Sequence, residues 1–172
     1  MVLDSSVNLI IIDNGVSASN FTVLDLTRFT QLRLLKVGNH CFTFVNELNI
    51  TGLNELERVE IGENSFTKKK NWYGEDRNRH FYLKDCPKLR SLKIGDYSFS
   101  DYTVFEIENV DMLEVIEMGE LNKESYNFFY ASLELRSILI HSELRLDMPS
   151  LKSLVIGGRV FCDCSRVVFE SN

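Results

Sequence analysis

The chain has 172 residues, 44% of them apolar and 26% charged, and carries a formal net charge of −6. That is enough apolar side chain for a single packed domain over 1–172 and too much for wholesale disorder. The acidic balance argues against a phosphate-neutralising nucleic-acid surface, and no apolar run approaches the roughly 18 residues that membrane insertion would need.

In chain order the elements are copies of one unit, L-x-x-L-x-I-G-x-x-x-F. The opening MVLDSSVNLIIIDNG carries an acid and only a four-residue apolar run, which is not the pattern of a secretion signal. It holds a degenerate first copy (Val7, Ile10, Ile12), with Asp13 where glycine recurs later. Strong copies follow as LRLLKVGNHCF at 32–42, LERVEIGENSF at 56–66 and LRSLKIGDYSF at 89–99, then from Leu113, and as LKSLVIGGRVF at 151–161. Their glycines are Gly38, Gly62, Gly95, Gly119 and Gly157, a position that calls for positive φ or for close backbone approach. LRSILIH at 135–141 reads as a further copy with His141 in place of glycine, giving seven in all.

Each copy has a second half that alternates with period two: Leu24-x-Leu26, Leu48-x-Ile50, Phe81-x-Leu83, Phe105-x-Ile107, Leu144-x-Leu146 and Val167-x-Phe169. Alternation in short runs of β-branched, aliphatic and aromatic residues predicts strands. The connectors, such as SDYT at 100–103, leave no room for a helix. A pair of strands cannot bury enough surface alone, so the units must stack.

Inward positions one, four and six leave positions two and five outside. Down the stack, position two reads Arg33, Glu57, Arg90, Glu114, Arg136 and position five reads Lys36, Glu60, Lys93, Glu117. Signs alternate at every rung, which predicts a ladder of opposite-charge pairs worth about 0.2–1 kcal/mol each and fixing the register. The outer face turns apolar near the ends, at Leu9, Ile11 and Leu34 and again at Leu139 and Val155. Six residues precede Val7 and three follow Phe169, so the sequence shows no polar cap. The expectation is end-to-end self-association through uncapped ends, or a fragment of a longer array.

The unit starting at Leu56 is long, and its excess lies in TKKKNWYGEDRNRH, 67–80. A loop projecting from a scaffold, with Trp72 and Tyr73 beside Arg77 and Arg79, has the residue types of a contact hot spot. Between 122 and 134 the unit is distorted: Lys123 stands at the phenylalanine position, and Phe128 and Phe129 are expected to supply the missing bulk.

The search for chemistry finds little. His40, His80 and His141 share no spacing, and Cys162-x-Cys164 offers two ligands where a structural zinc takes four. No catalytic, cofactor-binding or metal-binding residues are expected, and no enzyme activity. Four cysteines without a disulfide framework favour a reducing compartment, the cytoplasm; cell surface or secretion is the alternative where a targeting segment has been removed.

The L-x-x-L-x-I unit, its I-G and S-F elements and its all-β second half resemble the leucine-rich repeat superfamily. They are most like the irregular repeats of BspA-like proteins of bacteria and unicellular eukaryotes, over about Val7 to Phe169. The resemblance implies a mostly-β solenoid, a right-handed superhelix with parallel strands on two faces. It implies protein recognition through the exposed first sheet, and no catalysis. The family's ninth position is commonly asparagine or cysteine; here it holds His40, Asn64, Tyr97, Leu121 and Arg159, so no regular asparagine ladder is expected. The leading functional expectation is a non-catalytic module binding a protein partner through that sheet and the 67–80 loop. The alternative is a structural or adhesive segment of a longer surface array.

Overall fold

The computed structural model describes residues 6–68, 76–120, 123–137, 153–156 and 167–171. It is mostly β, with no helix among the described residues. Odd-numbered strands form one parallel sheet: β1 (Leu9–Ile12), β3 (Leu34–Val37), β5 (Arg58–Ile61), β7 (Ser91–Ile94), β9 (Val115–Met118) and β11 (Ser153–Ile156), hydrogen-bonded in that order. Even-numbered strands form the other: β2 (Val23–Asp25), β4 (Glu47–Thr51), β6 (His80–Lys84), β8 (Val104–Glu108), β10 (Ser132–Ser137) and β12 (Val167–Ser171). The chain passes from one sheet to the other at every connection, so each unit contributes one strand to each.

Register aligns like with like. Leu35, Val59, Leu92 and Ile116 are lateral neighbours, as are Val37, Ile61, Ile94 and Met118. Across the core, Leu48, Phe81 and Phe105 form one row and Ile50, Leu83 and Ile107 another. Leu32, Leu56, Leu89 and Leu113 are fully buried, and so are the turn residues Leu53 and Cys86. Inward and outward positions fall as the repeat pattern predicts, because a strand places alternate side chains on opposite faces.

The copy expected at 135–141 is different. Ser132–Ser137 pairs with Val104–Glu108 and with β12, so it is a second-sheet strand, and Arg136 lies beside Glu108 rather than in the charge column of the first sheet. The units with described strands number six, not seven. The reason lies just upstream: Phe128, not Lys123, occupies the phenylalanine position, and the chain reaches the second sheet a few residues after that turn. Leu133 and Leu135 thereby take the rows of Phe105 and Ile107 that Leu144 and Leu146 were expected to continue. Leu139, Leu144, Leu146 and His141 lie outside the described residues.

The turn after each first-sheet strand has its own chemistry. The tenth-position side chain donates to a carbonyl of the preceding unit: Cys41 Sγ to Asp13 O (3.0 Å), Ser65 Oγ to Gly38 O (2.7 Å), Ser98 Oγ to Gly62 O (2.6 Å) and Asn127 Nδ2 to Gly95 O (2.7 Å). A polar ladder therefore exists, one position later than the ninth where it was sought. The conserved-looking glycine is explained by close approach. A Cβ on Gly62 would lie 2.7 Å from Gly38 C and 2.8 Å from Asn39 N. Among the described glycines, only Gly119, in the distorted unit, combines such crowding with positive φ (+69°). The eleventh-position phenylalanines Phe42, Phe66, Phe99 and Phe128 are themselves left-handed, at φ of 55°, 55°, 58° and 47°.

Candidate functional site: the outer face of the first sheet

Parallel pairing sets position-two and position-five side chains about 4.8 Å from their counterparts on the next strand. Arg33 Nη2 lies 2.6 Å from Glu57 Oε1, Lys36 Nζ 3.6 Å from Glu60 Oε2, Arg90 Nη1 3.1 Å from Glu114 Oε1 and Lys93 Nζ 2.9 Å from Glu117 Oε2. Arg58 adds a contact to Glu60 at 3.6 Å. The alternation read from the sequence thus closes into salt bridges in two blocks, between β3 and β5 and between β7 and β9. The hydrogen bond from Arg33 holds the Glu57 carboxyl below the usual glutamate range. The folded form is therefore favoured above the ordinary glutamate pKa, and that contribution fades as pH falls through the lowered value. These groups face solvent, so each pair stabilises little: Arg90→Ala is expected to cost under about 1 kcal/mol in urea denaturation.

At the β1 end the same face loses its charges. Leu9 and Ile11 are 47% and 58% exposed, and Leu34, half-buried, is the lateral neighbour of Leu9. Beside them is a shallow depression of about 360 Å³ lined by Asn8, Leu9, Arg33, Leu34, Glu57, Arg58, Arg90 and Ser91. Its wall carries three arginines, each ion-paired with a glutamate (Arg33 with Glu57, Arg58 with Glu60, Arg90 with Glu114), beside the apolar Leu9 and Leu34. At the other end of this sheet Val155 is the direct neighbour of Glu117.

The 67–80 insertion divides. Trp72 and Tyr73 lie outside the described residues, and Arg77 is exposed. Arg79 was expected among the contact residues, but it is fully buried and unavailable to a partner. Its Nη1 donates to Asp101 Oδ2 (3.0 Å), and its Nη2 donates to the carbonyls of Thr43 (3.0 Å), Val45 (2.7 Å) and Phe66 (3.0 Å). The Tyr102 ring lies 4.8 Å from the guanidinium carbon, and the Tyr102 hydroxyl donates to Val45 O at 2.7 Å. Burial raises the Tyr102 phenol pKa, so it stays protonated. Asp101 and Tyr102 belong to the SDYT connector, whose sequence announces no partner for a residue 22 positions upstream.

Sequence reading also missed a carboxylate cluster. Glu63, Asp96 and Glu120 occupy the eighth position of successive units, with carboxylate oxygens within 4.8 Å of one another. The neighbourhood accounts for them: Lys123 pairs with Glu120, and Asp96 Oδ1 accepts from the Glu120 N–H and from Ser125 Oγ, each at 2.8 Å. Cys41 and Cys86 are buried and free, and burial pushes the Cys86 thiol up to about 11, which makes it a poor nucleophile. Cys162 and Cys164 lie outside the described residues. No family model, curated protein or solved structure matches this chain.

Proposed function

We propose that the chain is a solenoid of the leucine-rich-repeat kind, acting as a non-catalytic module that docks a protein partner on the outer face of its first sheet at the β1–β5 side. The observation that carries this reading is the exposed Leu9 and Ile11, with half-buried Leu34, beside a depression walled by ion-paired arginines. Elsewhere on that face the outward charges neutralise one another in pairs, which leaves them little to offer a ligand. Among the described residues of that face, the β1 end joins exposed apolar area to a depression beside it. Its complement is an aliphatic side chain on an extended segment of a partner.

Panning a phage-displayed random peptide library on the intact protein tests this. Sequences with a recurring aliphatic residue should be enriched, and a Leu9→Ser/Leu34→Ser variant should lose them at least about 10-fold, the loss of roughly 1.4 kcal/mol of contact. Retained binding by that variant, or enrichment only of peptides that lack an aliphatic residue, would refute the reading. Arg79 is not part of the surface, and a variant there reports on stability alone.

A further inference from the structure

The first unit departs from the others at three positions of the turn after its strand. The seventh position carries Asp13 where Gly38, Gly62 and Gly95 stand. In those three, an added Cβ would meet the backbone of the preceding unit: Asn14 N at 2.8 Å and Asp13 C at 2.9 Å for Gly38, Gly38 C at 2.7 Å for Gly62, Glu63 N at 2.7 Å for Gly95. Asp13 follows β1 as Gly38 follows β3, and the hydrogen bond from Gly38 N to Ile12 O continues the pairing of those two strands. A unit laid on β1 in the register of the rest would therefore bring its backbone into contact that a real Cβ does not make. No side-chain rotation relieves it, because the obstruction is main chain on one side and Cβ on the other.

The second departure is at position ten. Cys41, Ser65, Ser98 and Asn127 each satisfy a carbonyl of the unit before, but the first unit has Val16, which has no donor to give. A unit added upstream would have that carbonyl buried without its partner, a costly arrangement. The third is at position eleven. Ser17 replaces phenylalanine there, and its Oγ accepts from Thr43 N (3.0 Å) instead of extending the aromatic column. The column ends under Phe21, whose ring centroid lies 6.0 Å from that of Phe42.

We infer that the turn Asp13–Ser17, with Phe21, is a built-in stop that prevents any further unit from stacking on β1 in register, whichever chain supplies it. The outer face of the sheet stays open to a partner that approaches it from the side; the end of the stack is closed to another copy of the repeat. This reading opposes end-to-end association at the β1 end and is independent of the proposed docking surface.

The test fuses a copy of residues 32–55 directly before Val7, in the natural chain and in an Asp13→Gly/Val16→Ser variant, with hydrogen exchange and melting as readouts. In the natural background the fused segment should exchange like an unfolded peptide. In the variant its strand amides should be protected about 10-fold or more, and Tm should rise by about 4 °C. Protection in the natural background overturns the inference. So does absence of protection in both, because the two side chains would then not decide the outcome. The unfused double variant should melt within about 4 °C of the natural chain, since Asp13 and Val16 are exposed. Gly62→Ala, which puts the same obstruction inside the stack, should lower Tm by more than that. A neutral Gly62→Ala, or an unfolded unfused variant, removes the steric basis of the inference.

Discussion

Arg79→Ala is expected to destabilise the fold by about 3–5 kcal/mol, the cost of breaking a buried ion pair by removing one partner. The guanidinium is fully buried and gathers groups from three successive units: Thr43 and Val45 before it, Phe66 in its own, and Asp101 after it. Alanine would leave the Asp101 carboxylate buried without the Arg79 cation, and would take the guanidinium donor from the Thr43 and Phe66 carbonyls, while Val45 O keeps the Tyr102 hydroxyl. Lysine should not rescue, because a point charge with one nitrogen cannot reach four acceptors in the plane that the guanidinium spans. Since the pair is shielded from solvent, added salt should change the loss little. Urea denaturation measures it directly, and a loss no larger than that of Arg90→Ala would mean that Arg79 is solvated after all. Stability of this size matters in a domain whose whole margin is of order 5–15 kcal/mol.

The second large effect belongs to the aromatic column. Phe99→Ala is expected to cost about 3–5 kcal/mol, as for other buried aromatic truncations. The Phe99 ring stacks between Phe66 at 4.8 Å and Phe128 at 4.9 Å, lies 5.1 Å from Phe81 and meets the edge of Tyr102 at 4.9 Å. The side chain holds this place although its backbone is left-handed, a conformation that costs an L-residue about 1–2 kcal/mol. Burial of the ring and four aromatic contacts outweigh that cost. The same strain gives the experiment its control. Phe99→Gly loses the ring but also relieves the backbone, so it should be no less stable than Phe99→Ala, the reverse of the usual order of these two residues. Glycine falling clearly below alanine would mean that residue 99 is not left-handed in solution.

These two sites differ in how far the sequence announced them. Phe99 stands at the eleventh position of a repeated unit, and repetition alone marks it as inward. Arg79 stands in a polar insertion beside Lys68, Arg77 and Glu75, where composition suggests solvent. Only a fold that brings 43, 66 and 101 around it turns that arginine into a core residue. The segment 132–137 shows the same limit from the other side. LRSILIH and LRSLKIG look alike because both encode period-two strands, and alternation says which residues share a face without saying which sheet receives the strand. The turn at Phe128 makes that choice.

The hydrogen-bond ladder is intermediate. Its serines were visible in the recurring S-F element, but their role depends on the distance between one turn and the carbonyl of the turn before, which no single unit contains. The sequence by itself determined what is periodic: inward leucine and isoleucine rows, the sign alternation from Arg33 to Glu117, and strands in place of helices. All of these follow from local alternation multiplied by repetition. The tertiary structure alone decided what is not periodic: the burial of Arg79, the sheet that takes Ser132–Ser137, and the meaning of Asp13 in a glycine column. Each of those depends on backbone from another unit lying within a few ångströms, and such proximity leaves no mark on the spacing of residues along one chain.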